Sequence, residues 1–230
     1  MQVIIGAPIK NRAWILPEYL KAINKIKYHN KQYLFYENHS LDNSLKILQE
    51  YNFSAKCNLY TAEAAENVGS ERYEYGKNNY AHLANIRNKF LKLFLETEGD
   101  YLFSVDSDVI VKPNVLDQLL IFADQKTIVG AAICNIPNQQ LDGRLPGNFM
   151  INHESGNMIH PSGYSLTGLY NCDVIGACYL IPRQVVEDGI IYAPDWQGED
   201  IPFCRQAKAK GYRLLVNLDC KQEHRMIRSP

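Results

Sequence analysis

The chain has 230 residues, which allows one or two domains and a substantial core without disulfide or metal staples. Hydrophobic residues make up 46% and charged residues 21%, an ordinary globular composition that excludes intrinsic disorder. With 24 basic against 25 acidic residues the net charge is −1, so a protein held to nucleic acid by non-specific phosphate contacts is excluded, while a small basic groove stays open.

No apolar run reaches the roughly eighteen residues of a membrane span. The start, Met1-Gln2-Val3-Ile4-Ile5-Gly6-Ala7-Pro8, lacks a basic region and a long apolar stretch, so it reads as a first strand and not as a signal peptide. Cys57, Cys134, Cys172, Cys178, Cys204 and Cys220 are scattered without a CxxC. Reduced thiols in a cytoplasmic protein are therefore expected.

In chain order, Val3-Ile4-Ile5 is a β-branched strand ended by Pro8, and Pro17 opens a helix through about Lys27. Tyr33-Leu34-Phe35-Tyr36 is the next strand, and Asp42 caps a helix carrying Leu45, Ile47 and Leu48. Asn58-Leu59-Tyr60 is a weaker strand. Residues 79–96 give the clearest helix, with Leu83, Ile86, Phe90, Leu93 and Phe94 on one face. A strand over 100–105 runs into Asp106-Ser107-Asp108, followed by a helix (114–123) and a strand (127–133). Repeated strand–helix units imply a mostly parallel sheet covered by helices on both faces.

Residues 135–171 are rich in Gly, Pro and Asn and poor in charge, which is loop and hairpin composition. A hairpin is expected where Phe149-Met150-Ile151 and Met158-Ile159 flank Glu154-Ser155-Gly156-Asn157. Inserts of this length in a compact domain are usually functional. Order returns with a strand (173–181), a helix (199–210) and a strand (212–218). A single domain is expected, with 1–133 as one half and 134–230 as the other.

Asp106 and Asp108 stand where an apolar strand runs out, the edge at which open α/β sheets bind ligands. At i and i+2 of an extended segment they project to one side and can share a hard cation, or they are simply two solvated aspartates. Glu199 and Asp200, after Gly198, open a helix. They either complement its dipole or supply a general base. His224, six residues beyond the last strand, is a surface histidine or a ligand to the same cation. Arg87 falls between Leu83 and Phe90 on the apolar helix face. It either snorkels to water or aims its fork at a phosphate. Ala7-Pro8-Ile9-Lys10-Asn11-Arg12 and Glu37-Asn38-His39-Ser40-Leu41-Asp42-Asn43 fill two further loops on the same edge.

Taken together and in order, these blocks resemble nucleotide-sugar-dependent glycosyltransferases of the GT-A fold, closest to family 2, over nearly the whole chain. The resemblance rests on the strand-1 loop ending in Pro8, the Glu37-to-Asn43 loop, Asn85-Ile86-Arg87-Asn88, Asp106-Ser107-Asp108, the small-residue strand Cys172–Ile181, and Gly198-Glu199-Asp200 followed by Gly211-Tyr212-Arg213 and His224. It implies a Rossmann-like sheet with a nucleotide-sugar-binding half (1–133) and an acceptor-binding and catalytic half (134–230). It also implies a Mn²⁺ or Mg²⁺ ion held by the DxD motif, with Asp106 on the ribose or metal, Asp108 on the metal and His224 completing its shell. By the same resemblance Asp200 is the base of an inverting displacement, with Glu199 as neighbour or substitute, and Ala7, Pro8, Arg12, Glu37, Asn38, Arg87 and Ser107 lie along a nucleotide-sugar donor.

The family's strand-2 aspartates are replaced here by Glu37-Asn38, which leaves the nucleobase open, with UDP-sugar favoured. The chain ends six residues after His224, so acceptor choice is expected to fall to the 135–171 insert, the Glu66–Asn79 loop and Gly176. Trp196 either stacks on an acceptor sugar or fills the core. The acceptor itself (glycan, lipid-linked, protein or modified nucleic acid) is open. Alternatives are a retaining GT-A enzyme, a nucleotidyltransferase lacking the usual Gly-rich phosphate loop, and a non-catalytic nucleotide- or glycan-binding protein.

Overall fold

A computed structural model describes residues 1–62, 77–136, 147–161 and 167–225, with the side chains of 77–79 and 134–136 left aside. Its frame is one sheet of nine described strands. β1 (Val3–Ile9), β2 (Lys31–Glu37), β3 (Cys57–Thr61), β4 (Tyr101–Val105), β5 (Val109–Ile110), β6 (Thr127–Ile136), β11 (Cys178–Pro182) and β12 (Arg213–Arg225) lie in the order β3-β2-β1-β4-β11-β6-β12-β5, and β9 (Leu169–Asn171) joins on β12. β1 pairs in parallel with β2 and β4, and β6 with β12. β11 runs antiparallel between β4 and β6. A small second sheet joins β7 (Phe149–Asn152), β8 (Met158–Ile159) and β10 (Val174–Ile175).

The period of two along each strand divides the core. Val3, Ile5 and Ile9 of β1, Tyr33 and Phe35 of β2, and Tyr101, Phe103 and Val105 of β4 point to one face, covered by α1 (Leu16–Asn24), α2 (Ser44–Glu50) and α4 (Val115–Leu120). Ile4, Leu34, Tyr36 and Leu102 point to the other face, under α3 (Lys77–Leu95), α5 (Arg183–Glu187) and α6 (Asp200–Ala209). Burial on both faces explains why these strands read as unbroken apolar runs.

Several expectations are corrected. β1 continues through Pro8, which pairs with Tyr36, because the parallel ladder does not require a donor from every residue on each side. Asp42 is not the cap of α2. Its carboxylate accepts from the Ser44 and Ala13 backbone N–H groups and ties two loops together. The 173–181 strand is broken into β10 and β11 by Ala177, whose φ is +63°. β5, β9 and the short α5 were not expected. β12 runs well past 218 to Arg225, across an irregularity between Asn217 and Lys221, so His224 lies on a strand and not beyond one. The hairpin holds, closed by His153 N–H to the Asn157 carbonyl at 2.9 Å. Most of the Glu66–Asn79 loop and parts of the 135–171 insert lie outside the described residues.

Gly6 sits opposite Leu34 in the β1–β2 ladder, where a Cβ would drive into the Leu34 carbonyl oxygen. That oxygen belongs to a central strand and has nowhere to move. Overpacking of this kind costs ~1–3 kcal/mol or more, and each kcal/mol shifts the melting point by about 2–4 °C at this size. Gly6→Ala is expected to lower Tm by about 2–12 °C in a thermal melt.

Candidate active site

The carboxyl ends of β1, β2, β4, β6 and β12 share one edge of the sheet, and the start of antiparallel β11 meets them there. All three described non-glycine residues with positive φ lie on this edge: Asn11 after β1, His39 after β2, and Ala177 before β11. Strain of this sort gathers at functional sites, where the surrounding structure over-determines it. Asn11 shows how: its backbone N–H donates to Ser40 Oγ at 2.9 Å while its own side-chain oxygen accepts from the Leu41 N–H at 2.7 Å. Arg12 N–H donates to Ser44 Oγ at 2.8 Å, so the two loops after β1 and β2 form one unit.

Arg87 is the centre of the site. It projects from α3 with only 12% of its side chain exposed. Nη1 and Nη2 donate to the two oxygens of Asp106 at 3.1 and 3.2 Å, and Nε donates to Glu199 Oε1 at 2.9 Å. Its guanidinium also lies 5.6 Å from the centre of the Tyr192 ring, which stacks on Phe203. Burial alone would favour the neutral form, but Asp106, Asp200 and Glu199 hold the guanidinium charged. Arg87 thus neither snorkels to water nor offers a free fork: three of its nitrogens already face carboxylates.

Asp106-Ser107-Asp108 is not extended. The Val109 N–H donates to the Asp106 carbonyl at 2.9 Å, closing a tight turn, and the two carboxylates diverge. Asp106 turns to Arg87. Asp108 turns to His224 Nε2 at 3.2 Å and to Arg12 Nη2 at 3.6 Å. The antiparallel pairing of β5 with β12 sets His224 opposite Val109, and this brings the histidine to Asp108. Burial would raise the Asp108 carboxyl, but the His224 hydrogen bond and charge, with Arg12, hold it below its usual range. Burial likewise works against a charged His224, and Asp108 more than reverses it, raising the imidazole.

Asp200 opens α6 beside buried Glu199, and its Oδ2 lies against the Cα of Gly176, where a Cβ would collide with it. Burial, the Glu199 carboxylate and then Asp106 push its carboxyl up to about 8, with Arg87 acting in the opposite sense. Tyr179 donates to Asp200 Oδ1 at 3.5 Å. Among the described acids of this edge, Asp200 is the one whose hydrogen-bond partner is a phenol. Glu199 and Asp106 face Arg87, and Asp108 faces His224 and Arg12.

The remaining candidates are placed less centrally. Ala7 and Ser107 are buried beneath the edge, and Pro8 is half-buried. Glu37 is buried and accepts from the Ser40 N–H at 2.6 Å, and buried Asn38 faces His82 Nε2 at 3.4 Å, so both are turned into their own surroundings. Trp196 is 61% exposed, which excludes a core role. Its segment is pinned by Gln197, whose side chain bonds both backbone groups of Met158 on β8.

Sequence reasoning missed Tyr179, Tyr192 and the inward role of Asn88. Asn88 donates to the Tyr192 carbonyl at 2.9 Å and accepts from its N–H at 2.8 Å. The helical period that turned Arg87 inward was the available signal for its neighbour. No local pattern marked the two tyrosines.

Among the described residues no group of three or more His, Cys, Asp or Glu is arranged to hold a metal. Asp108 and His224 do form an adjoining oxygen–nitrogen donor pair, which suits a divalent ion such as Mn²⁺ that takes further ligands from phosphate oxygens and water.

This architecture is that of GT-A glycosyltransferases. Chain and structure superpose on S. aureus TarS 1–349 in complex with UDP-GlcNAc (TM-score 0.65, 16% identity, 100% of this chain and 60% of that one). They also superpose on GalNAc-T7 with UDP, GalNAc and Mn²⁺ (TM-score 0.69, 16% identity, 97% and 44%). A third neighbour is the mannosyltransferase PcManGT from Pyrobaculum calidifontis with GDP-Man and Mn²⁺ (TM-score 0.63, 16% identity, 99% and 57%). The chain thus spans 60% or less of the length of these structures. No curated protein matches its sequence. Residues 1–136 match the family model for glycosyltransferase family 25, N-terminal domain, and the chain belongs to that family. The motifs had pointed closest to family 2; the matching family model is that of family 25.

Removing one partner from a buried ion cluster leaves uncompensated charge and costs about 3–5 kcal/mol. Arg87→Met is therefore expected to lose stability of that order in chemical denaturation, through buried Glu199 and half-buried Asp106. A loss under about 1 kcal/mol would mean that the cluster is hydrated.

Proposed function

We propose that this glycosyltransferase domain moves a sugar from a nucleotide-sugar donor to an acceptor hydroxyl with inversion, using a divalent metal. The single observation that carries the reading is Asp200: a carboxyl not ion-paired by hydrogen bond, at a helix start, beside Glu199 and Asp106, which Arg87 already engages. Its position suits a general base that takes the acceptor proton as the hydroxyl oxygen attacks the anomeric carbon and the nucleoside diphosphate leaves. Glu199, locked to Arg87, is the neighbour and not the substitute. Arg87 holds Asp106 in place at the sheet edge. Arg12 and Lys10, on the β1 loop, supply positive charge to a diphosphate.

Asp108 and His224 would hold the metal, which when bound neutralises charge building on the leaving diphosphate. The Mn²⁺ bound by GalNAc-T7 and PcManGT supports this, and UDP or UDP-GlcNAc in two of the three neighbours supports a UDP-sugar donor. Exposed Trp196, four residues before Asp200 on the segment that Gln197 ties to Met158, is a ring on which an acceptor sugar can stack. Gly176 leaves room there for the Asp200 carboxyl. Among the described residues no helix is long and apolar enough to cross a membrane. Cys57, Cys172, Cys178, Cys204 and Cys220 are free thiols, in keeping with a reducing, cytoplasmic setting.

Binding and transfer separate the roles. A ligand that binds the native state raises Tm by mass action. Asp108→Ala is expected to abolish the rise produced by UDP only when Mn²⁺ is present, whereas Asp200→Ala keeps that rise and loses transfer by about a hundredfold or more. Equal metal-dependent shifts in wild type and Asp108→Ala would remove Asp108 from the metal. The anomeric configuration of the product, read by NMR, decides inversion.

The pH dependence has a definite sign. A carboxyl pushed up to about 8 carries its proton below that pH and cannot accept another. Measured kcat/KM is therefore expected to rise with pH and level off above about 8, and a profile flat from pH 6 to 9 would contradict Asp200 as the base.

A further inference from the structure

Tyr179 and Tyr192 are both buried, and their hydroxyls share one hydrogen bond. Two phenols offer two protons, but only one proton can lie between the two oxygens. The second needs another acceptor, because a buried hydroxyl left without one is costly. Among the described residues Tyr192 Oη has no partner besides Tyr179, whereas Tyr179 Oη also faces Asp200 Oδ1 at 3.5 Å. Either oxygen can donate in the shared bond, and both protons find an acceptor only if Tyr192 donates to Tyr179 and Tyr179 donates to Asp200. The far end is fixed by Asn88, which brackets the Tyr192 backbone from α3, and by the stack of Tyr192 on Phe203, centroids 4.4 Å apart and rings 10° from parallel.

From this geometry, and resting on the reading of Asp200 as base, we infer that Tyr179 is a positioning residue that holds Oδ1 of Asp200 and leaves Oδ2, above Gly176, as the oxygen that takes the acceptor proton. Gly176 leaves that oxygen room: a Cβ there would collide with Oδ2 and displace it. The 3.5 Å contact lies at the long limit of a hydrogen bond. The charged and titratable groups around Asp200 are Glu199 on its own segment, Arg87 from α3, Asp106 from the end of β4, Tyr179 from β11, Tyr192 from the preceding loop and Cys204 from α6. Of these, Tyr179 is the one that donates a hydrogen bond to Asp200, so its removal acts on the carboxylate directly.

The test is an NMR titration of protein labelled with ¹³Cγ aspartate, with Asp200→Asn used to assign the resonance. In Tyr179→Phe the Asp200 titration is expected to move up by roughly one pH unit, since the ionised form loses a donor. In kinetics kcat falls about tenfold while KM for the donor stays put. A titration and kcat identical to wild type would overturn the inference. Tyr192→Phe checks the direction: Asp200 should titrate as in wild type or slightly higher. A downward move would mean that Tyr179 had been donating to Tyr192 and had only then become free for Asp200, which overturns it. If Tyr179→Phe fails to fold because the Tyr192 hydroxyl is orphaned, the double variant Tyr179→Phe/Tyr192→Phe removes both hydroxyls and should show the same upward shift. Failure of the base reading is distinguishable, because Asp200→Asn would then retain transfer whatever the tyrosine variants do.

Discussion

A buried guanidinium bound by carboxylates from two distant parts of the chain is the constraint on which the rest of this site depends. Arg87 comes from a helix, Asp106 from the end of a central strand, and Glu199 from the loop that opens α6. A lone buried charge would be strongly unfavourable, so α3 can dock only where both acids are in reach. Docking in that place carries Asn88 to the Tyr192 backbone and Tyr192 to the underside of the guanidinium. One arginine therefore sets the relative positions of the helix, the β4 edge and the turn that carries Asp200.

The same cluster accounts for the unusual chemistry of Asp200. Arg87 carries one positive charge, and its hydrogen bonds go to Asp106 and Glu199. A third carboxyl in the same region meets burial and like charge with too little compensation, so it holds its proton to about pH 8. Two acids in sequence, Glu199 and Asp200, thereby take opposite roles. Glu199 faces the guanidinium and Asp200 does not, and the difference between them lies in that placement.

The sheet edge assembles the second cluster by a different route. Asp108 sits in a turn, and the short β5 that follows it pairs antiparallel with the far end of β12. That pairing sets His224 against Asp108 and lets Arg12, from the tied loops after β1 and β2, close on the other side. Positive φ at Asn11, His39 and Ala177 gathers on this same edge, where the tied loops hold Asn11 in place.

The strand–helix alternation, the two-faced apolar sheet and the polar loops at its carboxyl edge were all present in the sequence, because periodicity and apolar content are local properties. So were the identities of Arg87, Asp106, Asp108, Asp200 and His224, since their residue types stand out where apolar runs stop or turn inward. What each contacts was not legible. The divergence of Asp106 from Asp108 depends on a turn closed by a single backbone hydrogen bond, and the extension of β12 to His224 depends on a partner strand more than a hundred residues earlier in the chain. Glu37, expected along the donor, accepts from its own loop, and Asn38 faces His82 on α3. Tyr179 and Tyr192 carried no local signal, yet they form a hydrogen-bonded line to Asp200. Composition and spacing determine which groups are available. Only tertiary packing decides which charge faces which, because burial and distance, the quantities that set proton affinity and pairing, exist only once the chain has closed on itself.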